Sequence, residues 1–201
     1  MRSFLRIGVL FGLVMAVASC GSPPEVELTA AQEALDAAKR AEADVYAADA
    51  YSRARNTLSD ARSKSEAGNY DEAKNQAVAA KDQADQARSL GEQNKARVRD
   101  EAQAIVNRIS GALADARASV DSAPRGKGAD DDLDQLRQDL SSADASLSSA
   151  RSSLGSGKAN DALSQAKAVE AKLGQVQGAV QMAMKKIEDW KVANKPWYDK
   201  I

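Results

Sequence analysis

The chain has 201 residues, of which 41 are alanine and 4% are aromatic, and its 28 basic and 29 acidic side chains leave a formal net charge of −1. Residues 95–99 are basic but are followed at once by Asp100 and Glu101, and this mixing of signs excludes the one-signed patch that nucleic-acid binding requires. Histidine is absent, which removes the commonest general base and the commonest metal ligand, so we predict a protein that is not an enzyme and has no catalytic residue, metal or cofactor.

The first predicted element is a secretory signal peptide over residues 1–19. Arg2 and Arg6 form a short positive region, and residues 7–18 form an uncharged, apolar stretch. A helix of that length spans roughly 18 Å, which is too short for the ~30 Å hydrocarbon core of a bilayer. The length and the flanking charges are typical of a cleaved signal.

The sole cysteine of the chain follows this stretch. The sequence Val-Ala-Ser-Cys at residues 17–20 resembles the lipobox of bacterial lipoproteins. That resemblance implies cleavage before Cys20 and a diacylglyceryl group on its sulfur, usually with an amide-linked acyl chain such as palmitate; two or more chains anchor a protein firmly. Gly21 stands where aspartate tends to retain Gram-negative lipoproteins at the inner membrane, so the resemblance favours the outer membrane. The alternative is an ordinary signal peptide whose cleavage site happens to contain a cysteine.

Beyond a short tether at residues 20–24, apolar residues recur at alternating spacings of three and four, the pattern of coiled-coil-like seams. Strong helix formers dominate this part of the chain, so we predict an all-α fold, an elongated antiparallel helical bundle with alanine-rich seams. Five helices are predicted, at about 25–43, 48–67, 70–120, 130–154 and 159–190, and the continuity of the third through Gly91 is left open. The predicted organisation is helical unit 1 (25–122), a loop (123–129), helical unit 2 (130–193) and an aromatic tail (194–201).

An internal repeat relates the two units. A shift of 89 residues aligns helix, glycine turn and helix without a gap, and brings Leu58 and Gly68 onto Leu147 and Gly157. Alanine-rich helices match easily by chance, so the paired leucines and glycines carry this interpretation. We therefore predict an internal duplication.

The sequence from Ala34-Leu35 through Leu58 to the Gly-Asn-Tyr-Asp-Glu-Ala turn at 68–73 resembles a family of bacterial envelope lipoproteins. Members of that family carry an alanine-rich helical domain of unknown function. The resemblance covers residues 28–90 well and residues 112–176 loosely, and it transfers no active site. Some relatives join the domain to a peptidoglycan-binding domain, so the resemblance implies a protein or peptidoglycan partner in the cell envelope.

Two further clusters have both structural and functional interpretations. The acidic residues Asp130, Asp131, Asp132 and Asp134 open the fourth predicted helix, where they favour the positive end of the helix dipole; a cation site is the alternative. Gly174 and Gly178 have the spacing of a membrane helix-dimer motif, but their neighbours are too polar for a span, so we expect close packing of soluble helices instead.

The candidate docking residues are aromatic and lie near the end of the chain: Trp190, Trp197 and Tyr198. Amphipathic aromatic side chains favour interfaces with a partner, a glycan or a membrane surface. The alternative is an aromatic plug that closes one end of an otherwise alanine-packed bundle.

These features lead to one expectation about function and one alternative. We expect a membrane-anchored envelope lipoprotein that acts as a helical spacer or interaction scaffold, at the outer membrane and facing the periplasm if the source is Gram-negative. No small-molecule substrate is evident. The alternative is an accessory lipoprotein of an envelope export, assembly or transport complex.

Overall fold

The computed structural model describes residues 22–125 and 128–195, and 88% of these residues are helical. This part of the chain contains no strand, so the all-α prediction is confirmed. It contains six helices: α1 (Glu25–Arg40), α2 (Ala43–Tyr46), α3 (Ala48–Glu66), α4 (Tyr70–Asp121), α5 (Asp130–Gly155) and α6 (Ala159–Ala193). Within the two described ranges, no helix is both long and apolar enough to cross a bilayer.

The first predicted helix is shorter than expected. α1 ends at Arg40 because Glu42 has a left-handed backbone, with a φ of +60°, and a helix cannot continue through that conformation. The single turn of α2 fills the link that follows. The chain then reverses, so that α3 packs antiparallel to α1.

The third predicted helix is continuous through Gly91. It is α4, which contains 52 residues and therefore extends about 78 Å at 1.5 Å per residue. Helices α1, α2 and α3 contact one another and α4, whereas α5 and α6 contact each other and α4. Among the described helices no contact joins the first set to the second. The molecule is thus two helical bundles that share α4 as a common spine: the first adds α1, α2 and α3 to it, and the second adds α5 and α6.

The two bundles have different cores. Around the first half of α4 the core is mostly alanine, with Leu35 and Leu58 as its large buried side chains. Around the second half the core contains larger residues, among them Ile105, Val106, Ile109, Leu113, Leu133, Leu136, Leu140, Leu147, Val169, Leu173 and Ile187. Alanine buries little apolar area, so the helices of the first bundle need close approach to stay together.

The repeat seen in the sequence has an exact counterpart in the helix ends. α3 and α5 end 89 residues apart, and α4 and α6 begin 89 residues apart. Gly68 and Gly157 have φ values of +78° and +75°. The N–H of the following residue bonds back to a carbonyl at 2.9 Å in both turns, which is the closure of a Schellman motif. Both helices therefore end at a glycine because the residue at that position adopts a left-handed backbone.

One packing expectation is wrong. Gly174 and Gly178 do not pack closely against another helix, since both are exposed and a Cβ on either would meet no described atom within 4 Å. They lie on the outer side of α6. The residues that α6 buries lie on its other side and are Ala159, Ala162, Ala166, Val169, Leu173, Val176, Val180, Ala183 and Ile187.

Candidate functional site

The predicted anchor and two of the predicted docking residues, Cys20, Trp197 and Tyr198, lie outside the described residues. The described chain starts two positions after Cys20, and Pro24 directly precedes α1. At this end of the molecule the ammonium group of Lys74 on α4 lies 3.1 Å from the Glu27 carboxylate on α1. That hydrogen bond lowers the pKa of Glu27. The start of α1 and the start of α4 are therefore at the same end, here named the proximal end.

The position of Trp190, the remaining predicted docking residue, follows from the directions of α1 and α6 relative to α4. Glu42, just beyond α1, pairs with Lys95 at 2.5 Å, so α1 runs parallel to α4 from the proximal end. In the second bundle Lys167 pairs with Glu101 at 2.7 Å, and Glu170 pairs with Arg108 further along. α6 therefore also runs parallel to α4, and it ends far from the proximal end.

Trp190 lies at this distal end, in the last turn of α6. Its side chain is 36% exposed, and its Cδ1 atom lies 3.9 Å from the position of a Cβ on Gly128, in the segment that precedes α5. Nearby, Val192 is 56% exposed. Trp190 thus both packs against the α4–α5 connection and presents part of its indole to solvent, which is compatible with a plug and with a docking contact.

The acidic cluster at the start of α5 is engaged in ion pairs. Asp132 accepts a hydrogen bond from Lys186 at 2.6 Å, and Asp134 accepts one from Arg137 at 2.7 Å. Asp130, Asp131 and Asp132 occupy the first turn of α5, where the helix dipole favours them. In the described ranges no group of three His, Cys, Asp or Glu side chains could hold a metal ion.

The joint between the two bundles is a feature that was not predicted from the sequence. Within α4, no residue between Gly91 and Ala102 is buried, because the first bundle has ended and the second has not begun. The amide of Asn94 donates to the carbonyl of Tyr46 at 2.7 Å, and this contact marks the limit of the first bundle. A groove of about 420 Å³ opens between this stretch and the α5–α6 turn. The four-residue spacings Asn94–Val98–Ala102, which interrupt the seam, were the signal that could have located the joint.

Comparison with known proteins identifies one match. Residues 26–104 match a family model described as a domain of unknown function, DUF4398. This stretch contains α1, α2, α3 and the first two thirds of α4, so it corresponds to the first bundle and the joint. The predicted resemblance to a domain of unknown function is confirmed for this part of the chain, whereas its lipoprotein character stays a prediction. No curated protein and no solved structure matches the chain.

Proposed function

We propose that the protein is a non-enzymatic, lipid-anchored spacer and interaction scaffold of the cell envelope. Cys20 would carry the lipid at the proximal end, and the two bundles would hold the distal end away from the membrane. The localisation that goes with this role is the outer membrane facing the periplasm, if the source is Gram-negative. The partner at the distal end would be a protein or peptidoglycan.

The observation that carries the proposal is the two-ended arrangement. The described chain enters at the proximal end, only a few residues after Cys20, and Trp190 lies at the opposite end. The spine between them is one helix of about 78 Å at 1.5 Å per residue. A continuous helix flanked by packed helices transmits position over that length far better than a flexible linker does.

The chemistry of the described surface supports a role in binding rather than catalysis. Two groups with a shifted pKa are Glu27 and Lys81. A hydrogen bond from Lys74 lowers the pKa of Glu27, and a hydrogen bond to Asp85 raises the pKa of Lys81. Glu27 is half-buried and Lys81 is exposed, and each belongs to an ion pair on the helix surface, whereas catalytic acids and bases usually sit in a cleft that shields them from solvent. The Lys81–Asp85 pair stabilises one turn of α4, and the Lys74–Glu27 pair joins α4 to α1, so each has a structural role.

A second candidate function, an accessory lipoprotein of an export, assembly or transport complex, is favoured by the exposed apolar side chains at the distal end. Trp190 and Val192 both lie in the last turn of α6, and they are 36% and 56% exposed. Aromatic side chains often anchor a protein partner. The same anchored scaffold would then hold one specific protein instead of the cell wall.

Photocrosslinking in cells separates these functions. A photoreactive residue at Val192 tests the distal end, and one at Val26, which is exposed next to the tether, serves as the proximal control. The spacer function predicts crosslinks from Val192, but not from Val26, to peptidoglycan or a wall-bound protein, and their loss in Cys20→Ser. A stoichiometric membrane complex crosslinked at Val192 favours the alternative. Identical products from both positions would contradict both functions.

A further inference from the structure

The groove at the joint, here called the joint groove, is an opening that neither the anchor nor the distal end accounts for. Its first wall is the uncovered stretch of α4, with Lys95, Ala96 and Arg99, and its second is the α5–α6 turn, with Leu154, Gly155 and Ala159. Its volume of about 420 Å³ lies within the ~300–1,000 Å³ typical of ligand pockets.

Comparison of the two repeat units shows which residues of the second turn make this groove open. The equivalents of Leu154, Gly155 and Ala159 in the first turn are Ser65, Glu66 and Tyr70, each 89 residues earlier. The second turn therefore has an apolar side chain in place of a hydroxyl. It also has no side chain in place of a carboxylate, and a methyl group in place of an aromatic ring. Compared with the first turn, the surface of the second turn is therefore less acidic, more apolar and more open. The backbone hydrogen bond that closes the turn is the same in both.

The apolar side chains that line the groove, here called its apolar floor, are partly buried. Leu154 is half-buried and packs against the core of the second bundle, and Ala159 is buried. Ala96 on the opposite wall is exposed. An inserted apolar side chain would therefore contact Leu154 and Ala96 together and remove both from water.

One guanidinium at the rim of the groove has no ion-pair partner among the described residues. Glu92 is already paired with Arg88 at 3.0 Å, and Lys95 with Glu42 at 2.5 Å. Arg99 forms no hydrogen bond or ion pair with any residue in the described ranges. Its guanidinium is thus available for a carboxylate, which it can bind with two parallel hydrogen bonds.

We propose that the joint groove binds an acidic peptide segment of a partner protein, which inserts one apolar side chain between Ala96 and Leu154 and places a carboxylate on Arg99. The charge complementarity at Arg99 and the apolar floor select this occupant. A nucleic acid would need a larger one-signed surface than the single guanidinium of Arg99 provides. This site goes beyond the proposed anchoring function and needs neither the lipid nor Trp190.

Binding is tested on the purified full chain by fluorescence anisotropy. The probe is a fluorescein-labelled peptide of glutamate and serine with a single central leucine. Matched peptides carry lysine in place of glutamate, or serine in place of leucine. The acidic leucine peptide is expected to bind at least about tenfold more tightly than either matched peptide, which corresponds to ~1.4 kcal/mol. No binding of the acidic leucine peptide, or equal binding of all three, overturns the proposal.

Two variants locate the site. Arg99→Glu removes the carboxylate partner and is expected to weaken binding about tenfold or more, or ~1.4 kcal/mol. Gly155→Glu restores the residue type of the first repeat on the second wall, where a Cβ meets no described atom within 4 Å, and should weaken binding without unfolding the helix. Arg55→Glu on the exposed face of α3 makes the same change in net charge as Arg99→Glu, but far from the groove, and should leave binding unchanged. A loss in Arg55→Glu equal to that in Arg99→Glu would mean that net charge alone governs the interaction, and would overturn the site.

Discussion

Gly91 on α4 lies directly against Ala43, the first residue of α2. A Cβ built on Gly91 would be 2.9 Å from the Cα of Ala43 and 3.1 Å from its Cβ. The first distance is shorter than real Cβ atoms adopt, and the atom it meets belongs to the backbone, which cannot rotate away. The absence of a side chain at 91 is therefore what lets α2 rest on the spine.

Gly91→Ala is accordingly expected to destabilise the fold. The methyl group must push α2 away from α4, and overpacking of this kind typically costs ~1–3 kcal/mol. Urea denaturation measures the change in the free energy of unfolding. The control is Gly111→Ala in the same helix, where a Cβ meets no described atom within 4 Å. Alanine there should stabilise the protein by ~0.5–1 kcal/mol, because glycine is the poorer helix former. Equal effects at the two positions would contradict the close approach.

Leu58→Ala and Leu147→Ala should be among the most damaging substitutions of single side chains. The two leucines occupy equivalent repeat positions and are 2% and 1% exposed, and truncation of a buried leucine costs ~2–5 kcal/mol. Exposed Lys81 and Glu170 supply the controls, since surface substitutions usually change stability by less than ~0.5 kcal/mol. Chemical denaturation of the four variants makes the comparison. Similarly small losses at all four positions would show that the seams contribute less than their burial indicates.

Cys20→Ser should abolish membrane association. The predicted lipid acceptor is the only cysteine in the chain, so no other thiol can replace it. Cell fractionation should find the variant as an uncleaved or mislocalised precursor, whereas Ser19→Ala, which keeps the cysteine and a small residue before it, should mature normally. If Cys20→Ser matures and partitions with membranes like the native protein, the anchor prediction is wrong.

The molecule should be elongated in solution. A compact domain with this number of residues has a radius of gyration of about 17 Å. A rod as long as α4 alone has a value of about 22 Å, from its 1.5 Å rise per residue. Small-angle X-ray scattering should therefore give a radius of gyration above the second value. A result near the first would require α4 to fold back, and the uncovered stretch between Gly91 and Ala102 is where that would occur.

The ion pair at the proximal end should be visible in a pH titration. Lys74→Gln removes the hydrogen bond that lowers the pKa of Glu27, so NMR titration should show that pKa rising toward its ordinary value of 4.5. Because the folded-state pKa is depressed, the pair stabilises the protein above the unfolded-state pKa. Its contribution is lost as the pH falls through the folded-state pKa. An unchanged Glu27 titration in Lys74→Gln would show that the pair does not persist in solution.

The helix ends and the seams could be predicted because local chemistry encodes them. Gly68 and Gly157 end helices since a left-handed backbone costs glycine little, and that cost is a property of the residue itself. Leu58 and Leu147, paired by the internal repeat, are both buried, since apolar spacing identifies the buried side of a helix wherever it packs. The candidate anchor, Cys20, rests on sequence pattern alone and stays a prediction.

Contacts between distant residues decided the rest. Gly91 alone could equally end a helix or continue one, and its place against Ala43 favours continuation because the absent side chain permits close packing. Gly174 and Gly178 suggested close packing, yet none of the described helices covers that side of α6. The joint groove exists because Arg99 and Leu154, 55 positions apart in the sequence, line the same opening. Residue spacing reports which side of a helix is apolar, but only the packed helices determine which sides are covered and which remain open to a partner.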